Sequence, residues 1–168
     1  MAGRPNRPTT HADRLIGWSY GAATAIQTAS EVPDLAFVVA DSSFSSLGDI
    51  AREAEQQFGA WAKIFVPGAL LVSGLRGGFD ARDPAPADVI RDVQAPVLLI
   101  HSRQDGFTPV EHSELIFAHS EQKRTRLVIP NWEAQHGHSY TVNPVAYTGL
   151  VDRFLTEFAP EFGVRLRR

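Results

Sequence analysis

A serine flanked two residues away on each side by glycine, Gly17-Trp18-Ser19-Tyr20-Gly21, constrains this chain more than any other feature. The apolar run Leu15-Ile16 leads into it. Ala22, Ala23, Ala25, Ile26 and Ala29 follow, small side chains at helical spacing that let a helix lie close to a sheet. A strand turning sharply into a helix holds the residue at the turn in a strained backbone conformation and lifts its side chain above the sheet. Glycines on both sides are expected to remove side chains that would collide there. Ser19 is therefore a candidate nucleophile, and the backbone N–H of Tyr20 a candidate donor to an oxyanion. The alternative, a Gly-rich turn with no chemistry, is disfavoured by the flanking strand and helix patterns.

Leu35 to Ala40, Pro96 to Ile100 and Leu127 to Ile129 are further apolar runs, as expected of strands buried on both faces. Helical signals lie between them. The clearest comes last, where Tyr147, Leu150, Val151, Phe154, Leu155 and Phe158 repeat along one helix face. Alternating strands and helices predict an α/β domain with a mostly parallel sheet of about four strands flanked by helices. Residues 1–13, rich in Pro, Arg, Asn and Thr, read as a tail or connection before a domain over 14–168. The stretch of about 47–78 breaks the alternation. Leu47, Ile50, Ala54, Phe58 and Trp61 share a helical face, and the segment reads either as a cap over the site or as core-packing helices.

A nucleophilic serine needs a base, and the base needs an orienting acid. After a strand–turn–helix serine the chain order is Ser, then Asp or Glu, then His. Asp105 stands five residues beyond Ile100, and His136 follows the last strand run, so each falls in a loop at the carboxyl end of a strand. Asp41, ending its own strand run, is a competing acid, and Asp105 could instead cap the next helix. His138 reads as a rim residue or the runner-up base. His136 and His138 also form a His-x-His pair, a weak metal pattern without a third ligand nearby; no metal and no cofactor are expected. His101 reads as a packing or hydrogen-bonding residue at the strand end, and His11, His112 and His119 as surface residues.

Here the chain resembles bacterial α/β-hydrolases of the dienelactone-hydrolase-like and prolyl-oligopeptidase-like group. The resemblance rests on residues 16–22, Val39 through Leu47, Ala95 through Asp105 and His136 through Tyr140. It implies a Ser19–His136–Asp105 triad, with Tyr20 supplying one oxyanion N–H. Dienelactone hydrolases proper use a cysteine nucleophile. This chain has no cysteine, so that activity is not expected. The family places several strands before its elbow, and 18 residues precede Ser19 here. The expectation is a C-terminal part of the fold without the loop that carries the second oxyanion donor. Loss of one such donor typically costs about 10²–10³ in turnover.

The absence of cysteine also excludes disulfides and thiolate metal sites. A net charge of -3, from 16 basic and 19 acidic residues, argues against a nucleic-acid platform. No apolar run suits a membrane span, and Met1 to Arg14 lack a signal-like apolar stretch, so the cytoplasm is the default expectation. The leading reading is a serine hydrolase of small-molecule carboxylic esters, with thioesters and peptide bonds as lesser alternatives. The rival reading is a weak or inactive hydrolase fragment that acts as an interaction module or needs a partner chain. An elbow strand at a sheet edge would invite pairing of two copies. The apolar stretch from Trp61 to Leu75 hints at an apolar acyl or alkyl pocket.

Overall fold

The computed structural model describes residues 13–59 and 84–163. In these, four strands form one parallel sheet in the order of the chain: β1 (Asp13–Trp18), β2 (Leu35–Asp41), β3 (Val97–Ile100) and β4 (Thr125–Val128). Each apolar run of the sequence supplies one strand, and β1 begins at Asp13, the last residue of the expected tail. Helix α1 (Tyr20–Glu31) joins β1 to β2. Between β2 and β3 come α2 (Leu47–Phe58), the short α3 (Pro86–Val89) and a 3-10 turn. Helix α4 (Glu111–His119) joins β3 to β4, and α5 (Ser139–Val142) and α6 (Pro144–Phe158) follow β4.

Sequential strand order has a direct consequence. Right-handed crossovers between parallel strands taken in order put every connecting helix on the same face. Accordingly Ala22, Ala25, Ile26 and Ala29 of α1, Ala87 of α3 and Ile116 of α4 pack on Val38, Ala40, Val97 and Leu99. The small residues of α1 do what their size suggests and bring the helix close to β1 and β2. The opposite face, Phe37, Val39, Leu98 and Ile100, is covered by Phe154 and Leu155 of α6, with Ala159 just beyond it. Each fully buried Leu, Ile or Val contributes roughly 1.5–3 kcal/mol. Alternation along a strand splits these residues between two cores, so β3 and β2 up to Ala40 are apolar on both faces.

Among the described residues β1 is an edge strand of this sheet. Its side chains Ile16 and Trp18, in register with Val39 and Asp41, are 65% and 68% exposed. Asn143 caps α6 by accepting from the N–H of Ala146, with Pro144 in the first turn.

Ser46 starts α2: its hydroxyl accepts from the N–H of Asp49, and the Asp49 carboxylate takes the Ser46 hydroxyl at 2.6 Å. This reciprocal arrangement resembles a capping box. The helix expected from Leu47 onward is therefore present. Residues 60–83, with the rest of the expected insertion and the Trp61 to Leu75 stretch, lie outside the described residues, as do 1–12 and 164–168.

Candidate active site

Ser19 stands between the end of β1 and the start of α1 with φ 53° and ψ -124°. Positive φ in a residue with a side chain costs on the order of 1–3 kcal/mol and persists only where the surroundings enforce it. Here its N–H donates to the carbonyl of Asp41 on β2 at 2.8 Å, and its own carbonyl accepts from Ala22 and Ala23 in α1. Gly17 makes the turn feasible. A Cβ there would meet the Gly21 carbonyl oxygen at 2.3 Å and the Ala22 nitrogen at 2.7 Å. The expectation for Gly21 needs correction, because a Cβ at Gly21 meets nothing within 4 Å. The collision is one-sided: Gly17 yields space to the backbone of Gly21.

Parallel strands bring all their carboxyl ends to one edge of the sheet, where ligand sites of open α/β sheets gather. The loop after β3 delivers Asp105, which is 7% exposed. Its Oδ1 accepts from the N–H groups of Phe107 and Thr108 at 3.0 and 2.8 Å. The loop after β4 delivers His136, and Gly137, at φ 69°, turns the chain behind it. His136 Nδ1 lies 2.8 Å from Asp105 Oδ2, and His136 Nε2 lies 2.7 Å from Ser19 Oγ. A carboxylate can only accept, so Nδ1 carries the hydrogen. Nε2 is then the acceptor for the Ser19 hydroxyl. That is the tautomer a general base at Ser19 requires.

Burial opposes ionisation of Asp105, but hydrogen bonds from His101, His136 and the Thr108 and Phe107 N–H groups outweigh it. They hold the carboxyl well below the usual range. Phe107 packs against the His136 ring, centroids 5.0 Å apart. Trp18, largely exposed, reaches over Gly137. Tyr20, the first residue of α1, places its backbone N–H next to Ser19 at the positive end of the helix dipole.

The competing residues go elsewhere. Asp41 is buried with its carboxyl committed to the Ser42 hydroxyl and to Tyr147 of α6; burial raises its pKa above the usual carboxylate range. What Asp41 lends to Ser19 is its backbone carbonyl. His138 is exposed, and both ring nitrogens of His136 are already engaged by Asp105 and Ser19. Among the described residues, no group of three or more His, Asp or Glu is placed to hold a metal ion.

His112 overturns its expected surface position: it is 4% exposed. Its Nδ1 lies 3.1 Å from the Ser45 nitrogen and 2.8 Å from Ser45 Oγ, while Nε2 meets Glu53 of α2 at 2.8 Å. The distances imitate a Ser–His–acid set. The chemistry does not, because Ser45 is 1% exposed and its hydroxyl also engages Asp49. This network ties α2 to α4 instead. The sequence hint was its spacing, four residues before the buried Ile116 on the same helix face; its partner Glu53, 59 residues away, gave no local signal.

No family model matches the chain. YqkD, an uncharacterized protein of Bacillus subtilis (strain 168), is 33% identical over 148 residues, covering 84% of this chain and 47% of that protein. Among solved structures, an esterase of Pyrococcus furiosus superposes with a TM-score of 0.67 at 24% identity, over 88% of this chain and 53% of its own. An acylaminoacyl peptidase of Pyrococcus horikoshii gives 0.61 at 18% identity, over 92% of this chain and 24% of its own. An α/β hydrolase enzyme from a sediment metagenome of the Mar Chica lagoon gives 0.60 at 19% identity, over 87% and 62%. The chain has the α/β-hydrolase fold and carries its C-terminal part. It spans about half the length of the curated relative and of the Pyrococcus furiosus esterase. Among the described residues no helix is long and apolar enough to cross a membrane.

Proposed function

We propose that this chain is a serine hydrolase acting on carboxylic esters through Ser19, His136 and Asp105. The observation that carries the reading is the continuous hydrogen-bonded line from Ser19 Oγ through both nitrogens of His136 to Asp105 Oδ2. As His136 Nε2 takes its proton, Ser19 Oγ attacks the ester carbonyl, and the imidazolium formed is stabilised by the Asp105 carboxylate. The tetrahedral oxyanion accepts from the Tyr20 N–H. His136 then gives the proton to the departing alkoxide, leaving an acyl group on Ser19. Water, deprotonated by the same nitrogen, attacks the acyl carbon and returns the carboxylic acid and free Ser19.

Esters are preferred because two of the structural neighbours are esterases or α/β hydrolases by name and their cores overlay this chain. Peptide bonds are the lesser alternative, after the acylaminoacyl peptidase. A panel of p-nitrophenyl esters of graded acyl length, run beside the Ser19→Ala variant, tests the reading. Turnover that Ser19→Ala abolishes supports it; turnover that survives the substitution sinks it.

A second reading, an interaction module without turnover, is favoured by the exposed Ile16 and Trp18 on edge strand β1. Two copies pairing along β1 would cover both side chains and continue the sheet from one copy to the other. Ser19-dependent turnover in a monomer, established by light scattering, removes this second reading.

A further inference from the structure

The residue immediately after β3 is a histidine where the preceding strand is wholly apolar. His101 is 0% exposed, and burying an imidazole is costly unless both nitrogens find partners. They do. Nε2 lies 2.8 Å from the carbonyl oxygen of Thr108, and Nδ1 lies 2.7 Å from the Ser113 hydroxyl on α4. A carbonyl only accepts, so Nε2 carries the hydrogen and Nδ1 accepts from Ser113. The same Nε2 lies 3.4 Å from Asp105 Oδ2, the oxygen that also accepts from His136.

One N–H thus faces both ends of the turn that holds the acid. Thr108 closes that turn from the other side, its N–H donating to Asp105 Oδ1 at 2.8 Å. Groups beyond direct contact with a reacting atom commonly fix the orientation and basicity of those that touch it. The titratable groups facing this pair are His136 from the β4 loop and Asp41 from the end of β2.

We propose that His101, oriented by Ser113, is a positioning residue for the Ser19–His136–Asp105 set, fixing the Asp105 turn and sharing the charge on Oδ2. The proposal rests on the reading of Ser19 as nucleophile. Without the Nε2–H, the Asp105 charge is shared among fewer donors and bears more strongly on His136. The imidazolium is then favoured, and the acid limb of Ser19 reactivity moves to higher pH. A loosened Asp105 turn also slows the reaction at every pH.

The test is the rate at which a fluorophosphonate probe labels Ser19 of the full chain, followed across neutral pH. Wild type, His101→Leu, His101→Gln and Ser113→Ala are compared, with circular dichroism reporting folding. His101→Leu is expected to slow labelling roughly tenfold, less than the hundredfold of a 1 Å misplacement, and to raise the acid limb. His101→Gln keeps an N–H within reach of the Thr108 carbonyl and is expected to recover most of the rate. Ser113→Ala shifts the limb in the same direction to a smaller extent. It decides the matter if His101→Leu fails to fold. Folded variants with the wild-type rate and pH profile would overturn the positioning role alone. A folded wild type that takes up no probe would overturn the nucleophile reading, and this one with it.

Discussion

The Cα of Gly17 sits against the backbone of Gly21, so close that a Cβ on Gly17 would come within 2.3 Å of the Gly21 carbonyl oxygen. The two glycines of the motif therefore have unequal duties. Gly17→Ala is expected to destabilise the chain by more than the roughly 1–3 kcal/mol of ordinary overpacking, because backbone rather than side chain must yield. Gly21→Ala, in a helix and with open space, is expected to be neutral or to stabilise by up to about 1 kcal/mol. Urea denaturation of the two variants checks this. Equal losses would contradict the one-sided collision.

Asp41 ends β2 and Asp105 follows β3 at the same edge of the sheet, yet only Asp105 reaches His136. Asp105→Asn is expected to slow probe labelling of Ser19 on the order of 10³–10⁴-fold, since an amide no longer fixes the required imidazole tautomer. Asp41→Asn keeps one acceptor oxygen and gains an N–H that a hydroxyl of Ser42 or Tyr147 can accept, and it leaves the backbone carbonyl that holds Ser19, so its labelling rate stays near wild type. Reversal of the two effects would reassign the acid.

Acid stability carries the signature of Asp105. Its folded pKa is depressed, so its contribution is fully present above the unfolded value of about 3.9 and is lost as pH falls through the lower folded value. Asp41 runs the other way: its folded pKa is raised, and stability is lost as pH rises from its unfolded value through the folded one. Urea midpoints measured from about pH 4 down to about pH 2 should fall less steeply for Asp105→Asn than for wild type. Parallel curves would mean that Asp105 gains nothing from its hydrogen bonds on folding.

Helix α6 covers one whole face of β2 and β3, and Asn143 is its cap. Asn143→Ala is expected to cost about 1 kcal/mol, the usual loss of an N-cap side chain. Probe labelling should be unaffected, because the cap lies outside the Ser19–His136–Asp105 line. A loss well below this in thermal or urea unfolding would show that Pro144 alone sets the start of the helix.

Much of this arrangement is legible in the sequence. β2 and β3 show most clearly as apolar runs because they are buried on both faces, and Ser19, Asp105 and His136 show because a parallel sheet brings its loops to one edge. Chain order then assigns their roles. What stays hidden depends on distance in the chain or on backbone conformation. His112 is buried because Glu53 and Ser45, far away in sequence, satisfy it. The roominess at Gly21 depends on the path of the turn, which the Gly-x-Ser-x-Gly pattern does not encode. Asp41 contributes a carbonyl rather than its carboxylate, a distinction no residue type can carry. Ser42 adopts φ 53°, and nothing in its side chain announces it.

The central claim is that Ser19 is a nucleophile activated by His136, and mass-spectrometric mapping of a fluorophosphonate adduct tests it most directly. The account predicts a single stoichiometric adduct on Ser19, absent in Ser19→Ala and strongly slowed in His136→Ala. A folded chain that takes up no probe, or takes it up at another residue, would contradict it.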